Sequence, residues 1–155
     1  METVVVPPQR NPNVLLQSFI VGQLASELLR RELEPTGMSP NEYGVQSVIG
    51  AFGPITPSEL ANRLGMAAPT VSAWIKRLAA KDQIRKLPHP SDRRSYLVEL
   101  TEAGRAAVRA AMPRFATALL AVEAELGEQL EVVWSGGEAF QQALRSILAN
   151  GSELK

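Results

Sequence analysis

The 155-residue sequence has no cysteine and one histidine, His89. Without thiols there is no disulfide framework, no thiolate metal site and no thiol chemistry for catalysis or redox sensing. A single imidazole in a turn cannot supply a paired His metal site. Neither a G-x-S-x-G elbow nor a phosphate-cradling P-loop is present. An enzyme is therefore not expected, and neither is a metal or cofactor. Long apolar runs are missing too. The opening residues, METVVVPPQRNPN, hold three consecutive valines and no basic leader, so neither a signal peptide nor a spanning segment is expected. That reading makes the protein cytoplasmic, with no membrane partner. Net charge of either sign is also absent: Lys and Arg total 16, as do Asp and Glu.

The neutral total hides an uneven distribution. Between Thr56 and Ser95 eight cations stand against three anions, Glu59, Asp82 and Asp92, a balance of +5. The rest of the chain balances at −5. A basic middle between acidic flanks reads as one face for a polyanion.

Residues 1–12 read as a flexible arm and residues 13–150 as a single domain. Leu16, Ile20, Leu24 and Leu28 recur every fourth residue, with Phe19, Val21, Ala25 and Leu29 widening the stripe. This predicts a helix over 13–33 buried on two sides. Pro35 and Gly37 end it. Ser39-Pro-Asn-Glu42 is a capping box with Pro at the first helical position. Its helix should turn Val45, Val48, Ile49 and Phe52 inward and stop near Gly53. Thr56-Pro-Ser-Glu59 repeats the device for a short helix carrying Leu60, Ala61 and Leu64, with Gly65 as its C-cap. A third helix over 68–81 faces Val71, Ile75 and Leu78 to the core, with Trp74 alongside.

Two short helices joined by a Gly-containing turn form a helix-turn-helix. Short strands are expected over 84–87 and 95–100, around the polar, proline-rich stretch from Pro88 to Arg94. A helix-turn-helix followed by a β-hairpin is a winged helix. Thr101-Glu-Ala-Gly104 opens a long helix to about Leu126, with Pro113 inside it. Gly127 and Ser135-Gly-Gly137 predict breaks, and a last helix is expected over 138–148.

The motifs Thr70-Val-Ser72, Arg77-Leu78, Pro90-Ser-Asp-Arg-Arg94 and Leu100-Thr-Glu-Ala-Gly104 follow one another in this order. In them the sequence resembles the MarR family of bacterial transcription regulators. The detailed match runs from about Ser58 to Gly104, and the order of helices extends it over nearly the whole chain. The resemblance implies a mainly α fold with a small β-hairpin wing. A winged helix lobe over about 54–101 would join dimerisation helices over about 13–34 and 102–150. It further implies a homodimer, a pseudo-palindromic double-stranded DNA operator, and a repressor released by a small aromatic ligand. In that family a glycine is common where Asp82 stands, and a basic residue where Ala73 stands.

On this reading Pro69, Thr70, Ser72, Ala73, Lys76 and Arg77 form the outward side of a recognition helix, suited to the major groove. The competing reading is an ordinary solvated helix face. His89, Ser91, Asp92, Arg93 and Arg94 form the wing tip. An arginine there can enter the minor groove, where the potential is most negative, with Asp92 pairing a neighbouring arginine to shape the tip. The competing reading is a charged turn of little energetic worth. Thr56 and Ser58 start the preceding helix and could bind a phosphate, although capping is their simpler role. Tyr43, Phe52 and Phe115 are candidates for a ligand cavity, against the simpler role of core packing. A different class of function also fits: a winged helix used as a protein-interaction module, with its basic face on an acidic partner.

Overall fold

The computed structural model describes residues 13–150. The predicted arm over 1–12 lies outside them. Six helices and one hairpin follow in order: α1 (Val14–Leu33), α2 (Pro40–Phe52), α3 (Pro57–Leu64), α4 (Ala68–Ala80), β1 (Ile84–Pro88), β2 (Tyr96–Leu100), α5 (Glu102–Leu126) and α6 (Leu130–Ala149). Single 3-10 turns join α1 to α2 and α5 to α6. This is the expected class, mainly α with a two-stranded antiparallel wing.

The helix starts are built as their sequences dictate. Asn13 caps α1 by accepting from the amides of Leu15 and Leu16. At α2 the Ser39 hydroxyl accepts from the Glu42 amide at 3.2 Å, and the Glu42 carboxylate accepts from the Ser39 amide at 2.9 Å. Each satisfies a donor that the first turn would otherwise leave open. Thr56 caps α3 through the Glu59 amide, and Gly65 closes it in the left-handed region at φ 63°.

The chain divides into two compact units, one up to Ala116 and one from Thr117. The first holds the main core. Val45 and Ile49 of α2, Leu60 of α3, and Val71, Ile75 and Leu78 of α4 pack with Ile84, Val98 and Leu100 of the hairpin. The three α4 residues lie at i, i+4 and i+7, one face of a helix. Ile55 adds a bridge to Val98, with backbone bonds of 3.0 and 2.8 Å, which ties the α2–α3 corner to the wing. Phe52 departs from expectation. It is 52% exposed at the last turn of α2, on the same helix face as Val45 and Ile49 but past the end of the main core.

Two further expectations are corrected. Ser135-Gly-Gly137 does not interrupt the chain: α6 runs through it from Leu130 to Ala149. Two interior glycines cost about 2 kcal/mol of helix propensity against alanine, too little to outweigh a helix of this length. The Ser135 hydroxyl donates back to the Glu131 carbonyl at 2.8 Å, inside the helix. The two buried sides foreseen for α1 are also absent within one chain. Leu16, Phe19, Ile20, Val21 and Leu24 are all exposed, and the buried residue of α1 is Leu33. In the second unit α6 likewise exposes Val132, Val133, Trp134, Ile147 and Leu148.

Candidate nucleic-acid interface

The six α4 residues named from sequence, Pro69, Thr70, Ser72, Ala73, Lys76 and Arg77, are all exposed, opposite the face that enters the core. Ala67 occupies the N-cap and makes no side-chain cap, so it leaves the first-turn amides to other partners. Such amides, with the helix dipole behind them, suit an anion. Lys76 points out. Arg77 is engaged more closely than the sequence suggests: its guanidinium lies 5.1 Å from the Trp74 ring centroid and 3.5 Å from the Glu42 carboxylate.

The wing register pairs Ile84 with Leu100 and Pro88 with Tyr96, leaving residues 89–95 as the tip. Its shape comes from two residues. The His89 ring accepts at Nδ1 from the Ser91 amide at 3.3 Å and the Asp92 amide at 3.0 Å. The Asp92 carboxylate accepts from the Arg94 amide at 2.9 Å, and the Ser95 amide donates to the Asp92 carbonyl at 3.1 Å. Asp92 therefore shapes the tip as expected, but through the arginine's backbone and not its guanidinium. An Asx-type bond of this kind closes a turn at short range, where a salt bridge would need a long side chain to fold back. The side chains of Ser91, Arg93 and Arg94 are exposed, and neither guanidinium has an ion-pair partner among the described residues. Below the tip Lys86 lies 4.6 Å from the Tyr96 ring centroid, and Arg85 pairs with Glu99 across the strands. The acceptor role of His89 is not legible in the sequence, because a lone histidine in a polar loop carries no spacing signal.

Thr56 is half-buried and its hydroxyl is taken up in capping, whereas Ser58 is exposed. The three aromatic candidates do not share one cavity. Tyr43 stacks on Phe115 at 4.7 Å and packs in a small second core with Leu33, Met38 and Ala111. Phe52 lies elsewhere, under the Arg63 guanidinium at 3.8 Å. Among the described residues no cluster of acidic and His side chains could hold a metal, and no helix is long and apolar enough to cross a membrane.

Behind this face, Glu42 is buried and accepts from Lys81 at the end of α4. Burial pushes its carboxyl up. The Lys81 ammonium and the Ser39 amide outweigh that, so it titrates below the ordinary carboxylate value. In the sequence Glu42 stands out only as a capping-box partner. Its second partner is 39 residues away, beyond any local pattern.

At the foot of the wing, Thr101 caps the start of α5. Its hydroxyl donates to the Asp82 carbonyl at 2.6 Å and accepts from the Gly104 amide at 3.1 Å. Asp82 itself has φ 55°, in the left-handed region. A Cβ at Gly104 would lie 2.0 Å from the Gln83 carbonyl oxygen, so only glycine fits. The Thr-Glu-Ala-Gly motif is thus a joint between the end of α4, the hairpin and α5.

Comparison with known proteins gives a consistent result. The family model described as MarR family matches residues 38–96. The multiple antibiotic resistance protein MarR of Salmonella typhimurium is 34% identical over 88 residues, which are 57% of this chain and 61% of that protein. The matched stretch thus spans about three fifths of its length. Among solved structures, a mutant MarR from Escherichia coli complexed with operator DNA is 25% identical, with a TM-score of 0.69 over 84% of this chain and 94% of that one. AbsC from Streptomyces coelicolor shares the fold at a TM-score of 0.80 and 20% identity, over 92% of this chain and all of that one. On these matches, residues 38–96 are the segment of this chain that carries the MarR family pattern.

Proposed function

We propose that this protein is a transcription regulator that binds double-stranded DNA, with α4 in the major groove and the wing tip in the minor groove. The observation that carries the reading is the pair Arg93 and Arg94: exposed, without ion-pair partners among the described residues, and presented by a turn that His89 and Asp92 hold closed. Two guanidinium groups on an ordered tip cost little further ordering entropy on meeting phosphate or a narrow groove. Thr70, Ser72 and Ala73 near the start of α4 are the base-reading candidates, and Lys76 and Arg77 the phosphate-reaching ones. Thr56 and Ser58 flank the same face. The winged helix lobe, about 54–101, is then the reading head.

The working form is a homodimer. The apolar face of α1 is too large to leave in water, and it lies in one of the stretches, 13–34 and 102–150, assigned to dimerisation. Two lobes would read a pseudo-palindromic operator with half-sites about 34–36 Å apart. Repression, and release by a small aromatic ligand, belong to the same reading and rest on the family likeness.

The test is a duplex titration against salt. With about four phosphate contacts per lobe, log K should fall against log[salt] with a slope near −7, at about −0.9 per contact. Fragments selected from genomic DNA, with and without small aromatic acids, would define operator and release signal. No duplex binding at any salt would overturn the proposal in favour of a protein-interaction module with an acidic partner.

A further inference from the structure

The wing tip is closed by backbone amides that converge on two residues. Pro90 has no amide to give, so the first donors after His89 are Ser91 and Asp92. Both point at one atom, His89 Nδ1, at 3.3 and 3.0 Å. The Arg94 amide goes to the Asp92 carboxylate at 2.9 Å, and the Ser95 amide to the Asp92 carbonyl at 3.1 Å. Asp92 thus gives its own amide to the ring and accepts the two that follow. The order of the tip runs from His89 through Asp92 to Arg94.

An imidazole nitrogen accepts only while it carries no proton. With Nδ1 taken by amides, the single proton of the neutral ring sits on Nε2. A second proton can add only at Nδ1, where the two amides converge. The ring then has donors at both nitrogens, and its new N–H meets the amides donor to donor. The Ser91 hydroxyl oxygen, 3.5 Å from Nδ1, can accept from that N–H, but the two amides are left to water. The charged groups around the ring are Asp92, Arg93 and Arg94 on the tip itself. The strands that carry the tip add the Arg85–Glu99 ion pair and Lys86, which lies on the Tyr96 ring. Charge of both signs is present, and the hydrogen-bond geometry sets which form of the ring the turn needs.

We propose that His89 is the positioning residue of the wing: its neutral ring latches the turn that presents Arg93 and Arg94, and protonation opens that turn and weakens DNA binding. The effect on DNA rests on the DNA-binding reading above; the latch does not. The sign separates a latch from a contact. A histidine that only touched phosphate would bind DNA more tightly on gaining charge, whereas this one binds less tightly. His89 is the one histidine of a chain without cysteine, so no other side chain ordinarily changes charge between about pH 5 and pH 8.

The experiment has two readouts on the full chain. NMR of the isotope-labelled protein follows the His89 ring nitrogens and the Ser91 and Asp92 amides from about pH 7.5 to about pH 5.5. The expected result is a ring protonated at Nε2 alone at the upper end, with both amide signals moving as Nδ1 takes its proton. A ring protonated at Nδ1 at the upper end, or amides that ignore the titration, would rule out the latch. Affinity for a random-sequence duplex is measured over the same range at fixed salt. It should fall with pH, by up to about ten-fold per unit for each wing engaged, because the complex excludes one proton per ring. His89→Asn keeps an acceptor oxygen without the titration, so it should bind like the neutral wild type at both ends. His89→Ala lacks the acceptor and should bind weakly at both ends. Affinity that rises in acid, that falls equally in His89→Asn, or that is undiminished in His89→Ala would overturn the positioning role. Absence of duplex binding at every pH would remove the effect on DNA together with the DNA-binding reading, and the amide titration would decide the latch alone.

Discussion

Glu42 on α2 accepts from Lys81, the residue that ends α4, and does so from a side chain that is only 3% exposed. The ion pair ties the far end of α4, the helix proposed to face DNA, to the scaffold behind it. Because the folded pKa of Glu42 lies below the ordinary value of 4.5, its contribution is present at neutral pH. It should be lost as the pH falls through 4.5 and then through the lower folded value. Glu42→Gln keeps a residue able to complete the capping box but removes the charge. Its expected cost is about 1–2 kcal/mol at pH 7, since the ammonium left behind can turn to water. Thermal unfolding from pH 7 to pH 3 checks both points: wild type and variant should converge in acid. A constant gap between them would show that the pair carries no pH-dependent stability.

Asp82 adopts φ 55°, where an L side chain is strained and glycine is not. Aspartate tolerates this region better than most residues, so the strain is modest. Asp82→Gly should raise stability by about 0.5–1 kcal/mol in urea unfolding, without changing the m-value. A loss of stability would mean that the carboxylate makes a compensating contribution.

Gly104→Ala should act in the opposite direction and harder. The new methyl would meet a backbone carbonyl at 2.0 Å, and backbone cannot swing aside as a side chain can. A loss of about 3 kcal/mol is expected from such overpacking. Unfolding midpoints measure it.

Ile20→Asp tests the uncovered face of α1. The side chain is 42% exposed in a single chain, so the monomer should fold normally. Sedimentation equilibrium should show a dimer for the wild type and a shift toward monomer for the variant, because a buried unpaired carboxylate at an apolar interface is costly. An unchanged dimer mass would remove this face from the assembly.

Arg93→Ala and Arg94→Ala should each weaken duplex binding and make its salt slope shallower, by about one for each phosphate no longer neutralised. Asp92→Ala should weaken binding without removing a cation, by loosening the turn that presents Arg94. If neither arginine variant alters the titration, the wing plays no part in recognition.

The winged helix is legible in the sequence because its signals are local. Caps at Ser39 and Thr56, the i, i+4, i+7 spacing of Val71, Ile75 and Leu78, and a polar tip between two short apolar runs all act within a few residues. The exposed faces of α4 and the wing tip follow from that periodicity. What the sequence hides depends on partners distant along the chain. Phe52 has the spacing of a core residue, but the main core ends before the last turn of α2, and Arg63 on α3 covers the ring instead. The cap uses Glu42 fully as far as local pattern goes, and only the fold brings Lys81 to it. At Ser135-Gly-Gly137 the difference is one of weight: three weak helix formers in a row resemble a stop, yet the flanking residues carry the helix through them.

The knot at Thr101 has a mechanical consequence. The residues just beyond α4, the foot of the hairpin and the first turn of α5 are welded at one point, with main chain against main chain at Gly104 and no slack for sliding. A twist applied to the beginning of α5 therefore reaches the arginine-bearing finger and the end of α4 together, as a lever moves its whole arm.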